Sequence, residues 1–444
     1  MSSTFTIRPS RRVAGTMRVP GDKSISHRAL MLGAIASGKT RVSGFLPGED
    51  CMATLAAVRA MGIDVEQHDA TTITVMGKGL HGLRAASGAL DMGNSGTAMR
   101  LFMGLLAAQD FDSKLIGDES LSRRPMERVA VPLRLMGAEI STTDGKPPVH
   151  ISGRRKLQGI RYDMPVASAQ LKSALLLAGL YADGDTVLAE PAVTRDHTER
   201  MLASLGQPVR RDGKVVSLSA TGQLNGTDIN VPGDLSSAAF FVLAGCLAAE
   251  GELVIDNVGL NPTRTGILRI LELMGADLRV EPATGKCAEP VGRLVVRPSE
   301  LQGVAIPPEL VPLAIDEFPM VFVAAALARG ETLVSGAAEL RHKESDRISV
   351  MVAGLRTLGI EVDELPDGAR IRGGRFSGGT IDSHGDHRVA MSFAIGAARA
   401  AGPVQILDTA NVATSFPGFV RQASAVGLVI EADAGRSEEH TSEL

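Results

Sequence analysis

Residues 19–42 read VPGDKSISHRALMLGAIASGKTRV, and residues 231–255 read VPGDLSSAAFFVLAGCLAAEGELVI. The second stretch repeats the first almost phrase for phrase, except that Lys23 is answered by Leu235. Four further stretches share the form of a polar turn followed by an Ala/Leu/Met/Phe-rich helix. They are GNSGTAMRLFMGLLA from Gly93, ASAQLKSALLLAGL from Ala167, DEFPMVFVAAALA from Asp316 and GDHRVAMSFAIGAA from Gly385. A second landmark keeps the same period. An amphipathic segment ends in glycine and runs into a short strand at Gly62, Gly137, Gly206, Gly275, Gly359 and Gly427, neighbours lying 68 to 84 residues apart. Two independent markers with one period identify six copies of one unit.

Each unit reads as helix, strand, helix, then strands around a turn. TTITVMG and KVVSLSA show the alternation of half-buried strands. Hairpins such as VSLSATGQLNGTDINVPGD are expected between units, and the N-terminal twenty residues, an orphan of that kind, are expected to complete the sixth unit. The reading is an α/β protein of two domains with three units each. One domain spans 21–232 and the other 1–20 plus 233–435, with a ligand cleft between them.

Composition narrows the function. The net charge is −4, aromatic residues are 3% and there is no Trp, so neither a nucleic-acid surface nor stacking platforms are expected. No uninterrupted apolar run of about 18 residues is read, and MSSTFTIRPSRR has no signal-peptide core; a cytoplasmic protein with no membrane partner is expected. Cys51, Cys246 and Cys287 fit neither a disulfide framework nor a metal spacing. Arg436–Leu444, RSEEHTSEL, is charged and without period. It back-translates into something like a sequencing adapter and is read as a non-native tail.

Two motifs mislead. GAIASGKT (33–40) matches a P-loop, but a helix precedes it and a strand follows, the reverse of what phosphate binding by a helix N-terminus requires. GKGLHG (77–82) matches a dinucleotide fingerprint, yet it falls in a turn that no helix follows. HGDH and RDHTE are read as turn and helix-start residues, and no metal site is expected.

The remaining charges add up. Lys23, Ser24 and Arg28 stand at one helix start, Asn94, Gly96, Thr97 and Arg100 at the next, and Arg123 and Arg124 in LSRRPMERV. Ser168, Ala169, Gln170 and Lys172 follow, then Arg195, Asp316, Lys343, Glu344, Arg347 and Arg388. Lys or Arg beside Ser, Thr, Gly and Asn at helix N-termini builds anion sites. The ligands should therefore be small and polyanionic, and cations from both lobes should repel across an open cleft until ligands close it.

These stretches carry a resemblance. From Gly21 to about Phe419 the sequence resembles the 5-enolpyruvylshikimate-3-phosphate (EPSP) synthase family, through PGDKSISHR, GNSGTAMR, RRPMERV, SAQLKSALLLAGL, IDEFP, KESDR and DHRVAMSF. RDHTE, SAQLK and NPTR look like the class that includes glyphosate-tolerant members. The resemblance implies a two-domain inside-out α/β barrel of three βαβαββ units per domain. It also implies a monomer without cofactor whose substrates are phosphoenolpyruvate and shikimate 3-phosphate. Lys23, Ser24, Arg28, Ser168, Ala169, Gln170, Arg195, Asp316 and Lys343 would hold shikimate 3-phosphate. Lys23, Asn94, Gly96, Arg124, Gln170, Arg347 and Arg388 would hold phosphoenolpyruvate, and Asp316, Glu344 and Lys23 would be catalytic. Thr414 stands where many relatives carry Lys. The alternatives are a UDP-N-acetylglucosamine enolpyruvyl transferase and a non-catalytic binder of anionic metabolites. None of the cysteines falls near SLSRRPM, where the former family often places one.

Overall fold

The structure, a computed structural model, describes residues 3–284 and 288–434. Cys287 and the tail from Arg436 lie outside these residues. Two hydrophobic cores are present. One is drawn from Ile25 to Val231, and the other joins Phe5, Ile7, Val13 and Val19 to residues from Leu235 to Ile430. The two lobes named below are these cores and the elements packed on them.

Each unit places one helix inside and one sheet outside. The inner helices are Lys23–Ile35, Gly96–Leu106, Ala169–Gly179, Leu235–Leu247, Phe318–Leu327 and His387–Ala397. They are apolar around most of their circumference, and a helix without a polar face is stable only when surrounded. Leu235–Leu247 is buried at every residue. Small residues let these helices approach closely: a Cβ on Gly104 would stand 2.0 Å from the carbonyl oxygen of Ala174 in the neighbouring helix.

Among the described residues there are five four-stranded sheets and one three-stranded sheet. In three of them the strand before the inner helix pairs in parallel with the strand after it, and in two that place is taken by the strand before the first inner helix of the other lobe. In the three-stranded sheet, isolated parallel bridges Gln302↔Arg329 and Ala305↔Leu333 take that place. An antiparallel pair completes each sheet, giving the βαβαββ unit six times.

The strands before the two VPGD copies cross over. Gly15–Met17 pairs with Leu253–Gly259 of the second lobe, and Asp228–Asn230 pairs with Ser37–Ser43 of the first. The expected inter-unit hairpins are therefore absent here. Val215–Leu218 and Asp228–Asn230 belong to different sheets, as do Ser3–Arg8 and Gly15–Met17. Only Ser3–Arg8 completes the sixth sheet, between Val404–Leu407 and Val429–Ala434. Turn residues marked the chain reversals, but strand partners are chosen across the domain, where local sequence carries no signal.

Pro308–Leu327 is long and apolar enough, by length and composition, to cross a membrane. It is not one smooth rod: a turn at Ile315–Glu317 interrupts it and brings in Asp316 and Glu317. Most of its surface is covered by the second core, so its apolar faces are already used within the protein.

Gly104→Ala should destabilise the first lobe by about 1–3 kcal/mol through overpacking. Gly88→Ala, with nothing within 4 Å of the added atom, should be neutral. Equal urea midpoints for the two variants would contradict the close helix contact.

Candidate active site

One cleft collects the starts of all six inner helices. Its lining includes Lys23 and Ser24, Ser95 to Thr97, Ser168 to Gln170, Asp234, Asp316, and His387 with Arg388. The caps are side chains: Asp22, Ser95, Ser168, Asp234 and Asp386 each accept from a backbone N–H in the first turn of the helix that follows. Eight Lys and Arg line the cleft against five Asp and Glu. A chain of net charge −4 has thus gathered a positive excess in one place, beside the positive ends of six helices.

Carboxylates of the second lobe reach across to cations of the first. Asp316 pairs with Arg195 at 2.5 Å, Glu344 with Arg124 at 3.5 Å, and Glu339 with Arg128 at 3.6 Å. The expected repulsion between the lobes is offset by these pairs, which draw the walls together. Within the lobes, Lys343 lies 3.2 Å from Asp316, Arg347 2.7 Å from Glu344 and Asp50 3.0 Å from Lys23.

The same contacts set the protonation states. Burial pushes the carboxyls of Asp316 and Glu344 upward, but the cations win. Arg195 and Lys343, with Arg388 and Arg347, hold Asp316 well below the usual carboxylate range. Arg347 and Arg124, with Lys23, do so for Glu344. Burial lowers the Lys23 ammonium, and Asp50 and Glu344 together more than restore it. Both carboxylates are anions and Lys23 is a cation.

Most of the anticipated residues converge. Lys23, Ser24, Asn94, Gly96, Arg124, Ser168, Ala169, Gln170, Arg195, Asp316, Lys343, Glu344 and Arg388 all line the cleft. Gln170 is held by Arg100, which donates to its carbonyl at 2.6 Å, and donates in turn to Thr97. Two residues lie behind the wall. Arg28 donates to Thr198, to the Ser24 carbonyl and to Ser173, which uses its guanidinium inside the lobe. Arg347, 1% exposed, donates to Asp386 and Glu344. Lys172, grouped with the cleft cations by its place in SAQLK, is instead fully buried between Glu190 and Glu199. Thr414 donates to the Asn411 carbonyl and adds no charge. Asp50, Arg128, Glu339 and His387 line the cleft unanticipated. Arg128 stood in the quoted RRPMERV and His387 in HGDH, while nothing in the sequence around Asp50 marked it.

The comparisons agree with this geometry. Residues 7–423 match the family model described as EPSP synthase (3-phosphoshikimate 1-carboxyvinyltransferase). A 3-phosphoshikimate 1-carboxyvinyltransferase of Alkalilimnicola ehrlichii is 56% identical over 441 residues, covering 98% of this chain and 99% of its own. This chain belongs to the EPSP synthase family. The same-named protein of Methylococcus capsulatus is 57% identical over 428 residues, covering 96% of this chain and 98% of its own. The solved EPSP synthase of Acinetobacter baumannii superposes with a TM-score of 0.87 at 52% identity, covering 97% of this chain and 100% of that one. The enolpyruvyl transferase NikO of Streptomyces tendae, at 18% identity and a TM-score of 0.78, covers 98% of this chain and 100% of its own. That likeness shows the shared fold. The enzyme is a transferase, and the alternatives drawn from sequence, the UDP-N-acetylglucosamine enzyme and the non-catalytic binder, give way.

The buried histidines of the enzyme carry a pH consequence. His27 bridges Thr54 and Ser95, the cap of the Gly96 helix. Burial, then Lys23 and Arg28, depress its pKa from 6.5 to about 3, against a smaller upward pull from Asp22. The unfolded chain takes up this proton below pH 6.5 and the folded one does not. Its contribution is therefore intact above pH 6.5 and is lost as pH falls toward 3. Between pH 6.5 and 5 the loss is about 2 kcal/mol for this group. Asp234, raised to about 6, titrates in the opposite sense but equally in wild type and variant. His27→Gln should therefore weaken the pH dependence of urea unfolding by roughly that amount. An unchanged slope would contradict a neutral, buried His27.

Proposed function

We propose that the cleft transfers the enolpyruvyl group of phosphoenolpyruvate to the 5-hydroxyl of shikimate 3-phosphate, releasing phosphate. The observation that carries this is the excess of cations held by Asp316 and Glu344, carboxylates that two polyanionic substrates can displace. Lys23, Ser24, Ser168, Ala169, Gln170, Arg195 and Lys343 hold shikimate 3-phosphate, with Arg28 supporting Ser24 from behind. Lys23, Asn94, Gly96, Arg124, Gln170 and Arg388 hold phosphoenolpyruvate, with Arg347 supporting Glu344. We take the enzyme to be a monomer, as the family resemblance implies, and place it in the cytoplasm.

Asp316 takes the proton of the 5-hydroxyl as its oxygen attacks C2 of phosphoenolpyruvate. Glu344, with Lys23, delivers a proton to C3 and removes one again as phosphate leaves. Both carboxyls begin too acidic for such work. Substrate phosphate and carboxylate groups draw Arg195, Lys343 and Arg124 to themselves. Burial is then less opposed, and it raises the proton affinity of Asp316 and Glu344 where the chemistry needs it.

A phosphate-release assay tests the reading. Activity should require both substrates, and Lys23→Met should lower it by about 10²-fold or more. Leu235→Met should stay near wild type. Leu235→Lys would place a charge in a side-chain site only 2% exposed and destabilise the second lobe. Equal activity losses for Lys23→Met and Leu235→Met would contradict the confinement of chemistry to the first copy.

We also place the enzyme with the class that includes glyphosate-tolerant members, on RDHTE, SAQLK and NPTR. A Cβ on Gly96 would stand 3.0 Å from a terminal nitrogen of Arg100 and 3.2 Å from one of Arg124, narrowing the phosphoenolpyruvate pocket. Glyphosate is the longer ligand, so Gly96→Ala should raise its inhibition constant by roughly five- to 150-fold, from an overpacking cost of about 1–3 kcal/mol. The phosphoenolpyruvate KM should rise much less. A parallel rise in both would contradict the assignment of Gly96, and no change in inhibition would point to tolerance arising elsewhere.

A further inference from the structure

NPTR and RDHTE, far apart in sequence and on opposite lobes, meet at the hinge. Asn261, 2% exposed, donates through its amide to Asp196 of the first lobe at 2.7 Å and to Glu289 of the second at 2.9 Å. Its carbonyl accepts from the Thr263 backbone N–H and hydroxyl, which fixes the turn. Glu289 also bonds His197 of RDHTE at 2.7 Å. The other end of the loop is Arg264, 3% exposed. Its guanidinium lies 3.3 Å from Asp22 and 3.2 Å from Asp234, the caps of the first helix of each lobe, and 3.6 Å from Glu317.

The neighbours of these partners are the residues assigned to shikimate 3-phosphate. Asp22 precedes Lys23, Glu317 follows Asp316, and Asp196 and His197 follow Arg195. RDHTE is also pinned from within its own lobe, by Lys172 on Glu199 and Arg28 on Thr198. We propose that the loop Asn261–Arg264 is an interlobe latch that positions Lys23 and Arg195 of one lobe against Asp316 of the other, and so governs shikimate 3-phosphate binding. Neither Asn261 nor Arg264 needs to touch the reacting atoms; both are positioning residues. An ångström of slip at such a hinge can cost about two orders of magnitude in a site that aligns groups from two bodies. The inference rests on the assignment of Arg195 and Asp316 to shikimate 3-phosphate.

The test is Asn261→Asp in the full chain, which keeps the turn to Thr263 but replaces the donor with a third carboxylate beside Asp196 and Glu289. The shikimate 3-phosphate KM should rise roughly tenfold or more, with the phosphoenolpyruvate KM and kcat changing less than about threefold. Adding Asp196→Asn reverses the polarity of the interlobe bond, leaves the contact with Glu289 unmended and should recover part of the KM. Asn261→Ser, which retains a hydroxyl for the turn but falls short of Asp196, should show the same split should the aspartate variant not fold. Equal rises in both KM values, an unchanged shikimate 3-phosphate KM, or no recovery in the exchange would overturn the latch. Arg195→Ala is the control: if it leaves the shikimate 3-phosphate KM unchanged, the site assignment fails; if it raises that KM while the Asn261 variants do not, the latch alone fails.

Discussion

Six helix N-termini and eight basic side chains confront one another across a single cleft, and the structure depends on how that positive field is compensated. Left alone, it would push the lobes apart. The second lobe answers with Asp316, Glu339 and Glu344, each paired to an arginine of the first. These pairs join the lobes and at the same time occupy Arg195 and Arg124, the arginines that the proposed function gives to the substrates. On that proposal binding is an exchange of anions, in which the coulombic gain on the substrate is offset by what the carboxylate gives up. That exchange also joins affinity to catalysis, because a carboxylate that loses its arginine in a buried site becomes a better base.

The repeat explains how the field arises. Every unit surrounds an apolar helix with other helices and turns its sheet outward, so the inner helices stand side by side with their starts at one end. Aspartate or serine caps five of the six starts and satisfies amides that would otherwise need water or ligand. Crossing of the strands Gly15–Met17 and Asp228–Asn230 then ties the lobes at the VPGD copies, where Asp22 and Asp234 share Arg264. Fold, hinge and charge pattern are consequences of one unit used six times.

Much of this was legible in the chain because the periodic signals are local. Helix starts, glycine turns and the altered lysine at position 235 could be read directly, and so could most cleft-lining residues. Long-range partners could not. Strands flanking a turn looked like hairpins, yet Ser3–Arg8 and Gly15–Met17 go to different sheets of the second lobe. Lys172 shares a motif with Gln170, but a lysine follows its carboxylates, and Glu190 and Glu199 lie inside the first lobe. Arg28 turned inward as well, toward the hydroxyls of Thr198 and Ser173. Asp50 had no motif at all; only its 3.0 Å approach to Lys23 reveals it.

The most direct test of the anion exchange is a crystal structure of the enzyme with shikimate 3-phosphate and an unreactive phosphoenolpyruvate analogue. Arg195 and Lys343 should bind shikimate 3-phosphate and Arg124 the analogue, with Asp316 released toward the 5-hydroxyl and Glu344 toward the methylene position. Ligands seated in the cleft while Asp316 and Glu344 kept their present pairs with Arg195 and Arg124 would contradict the account.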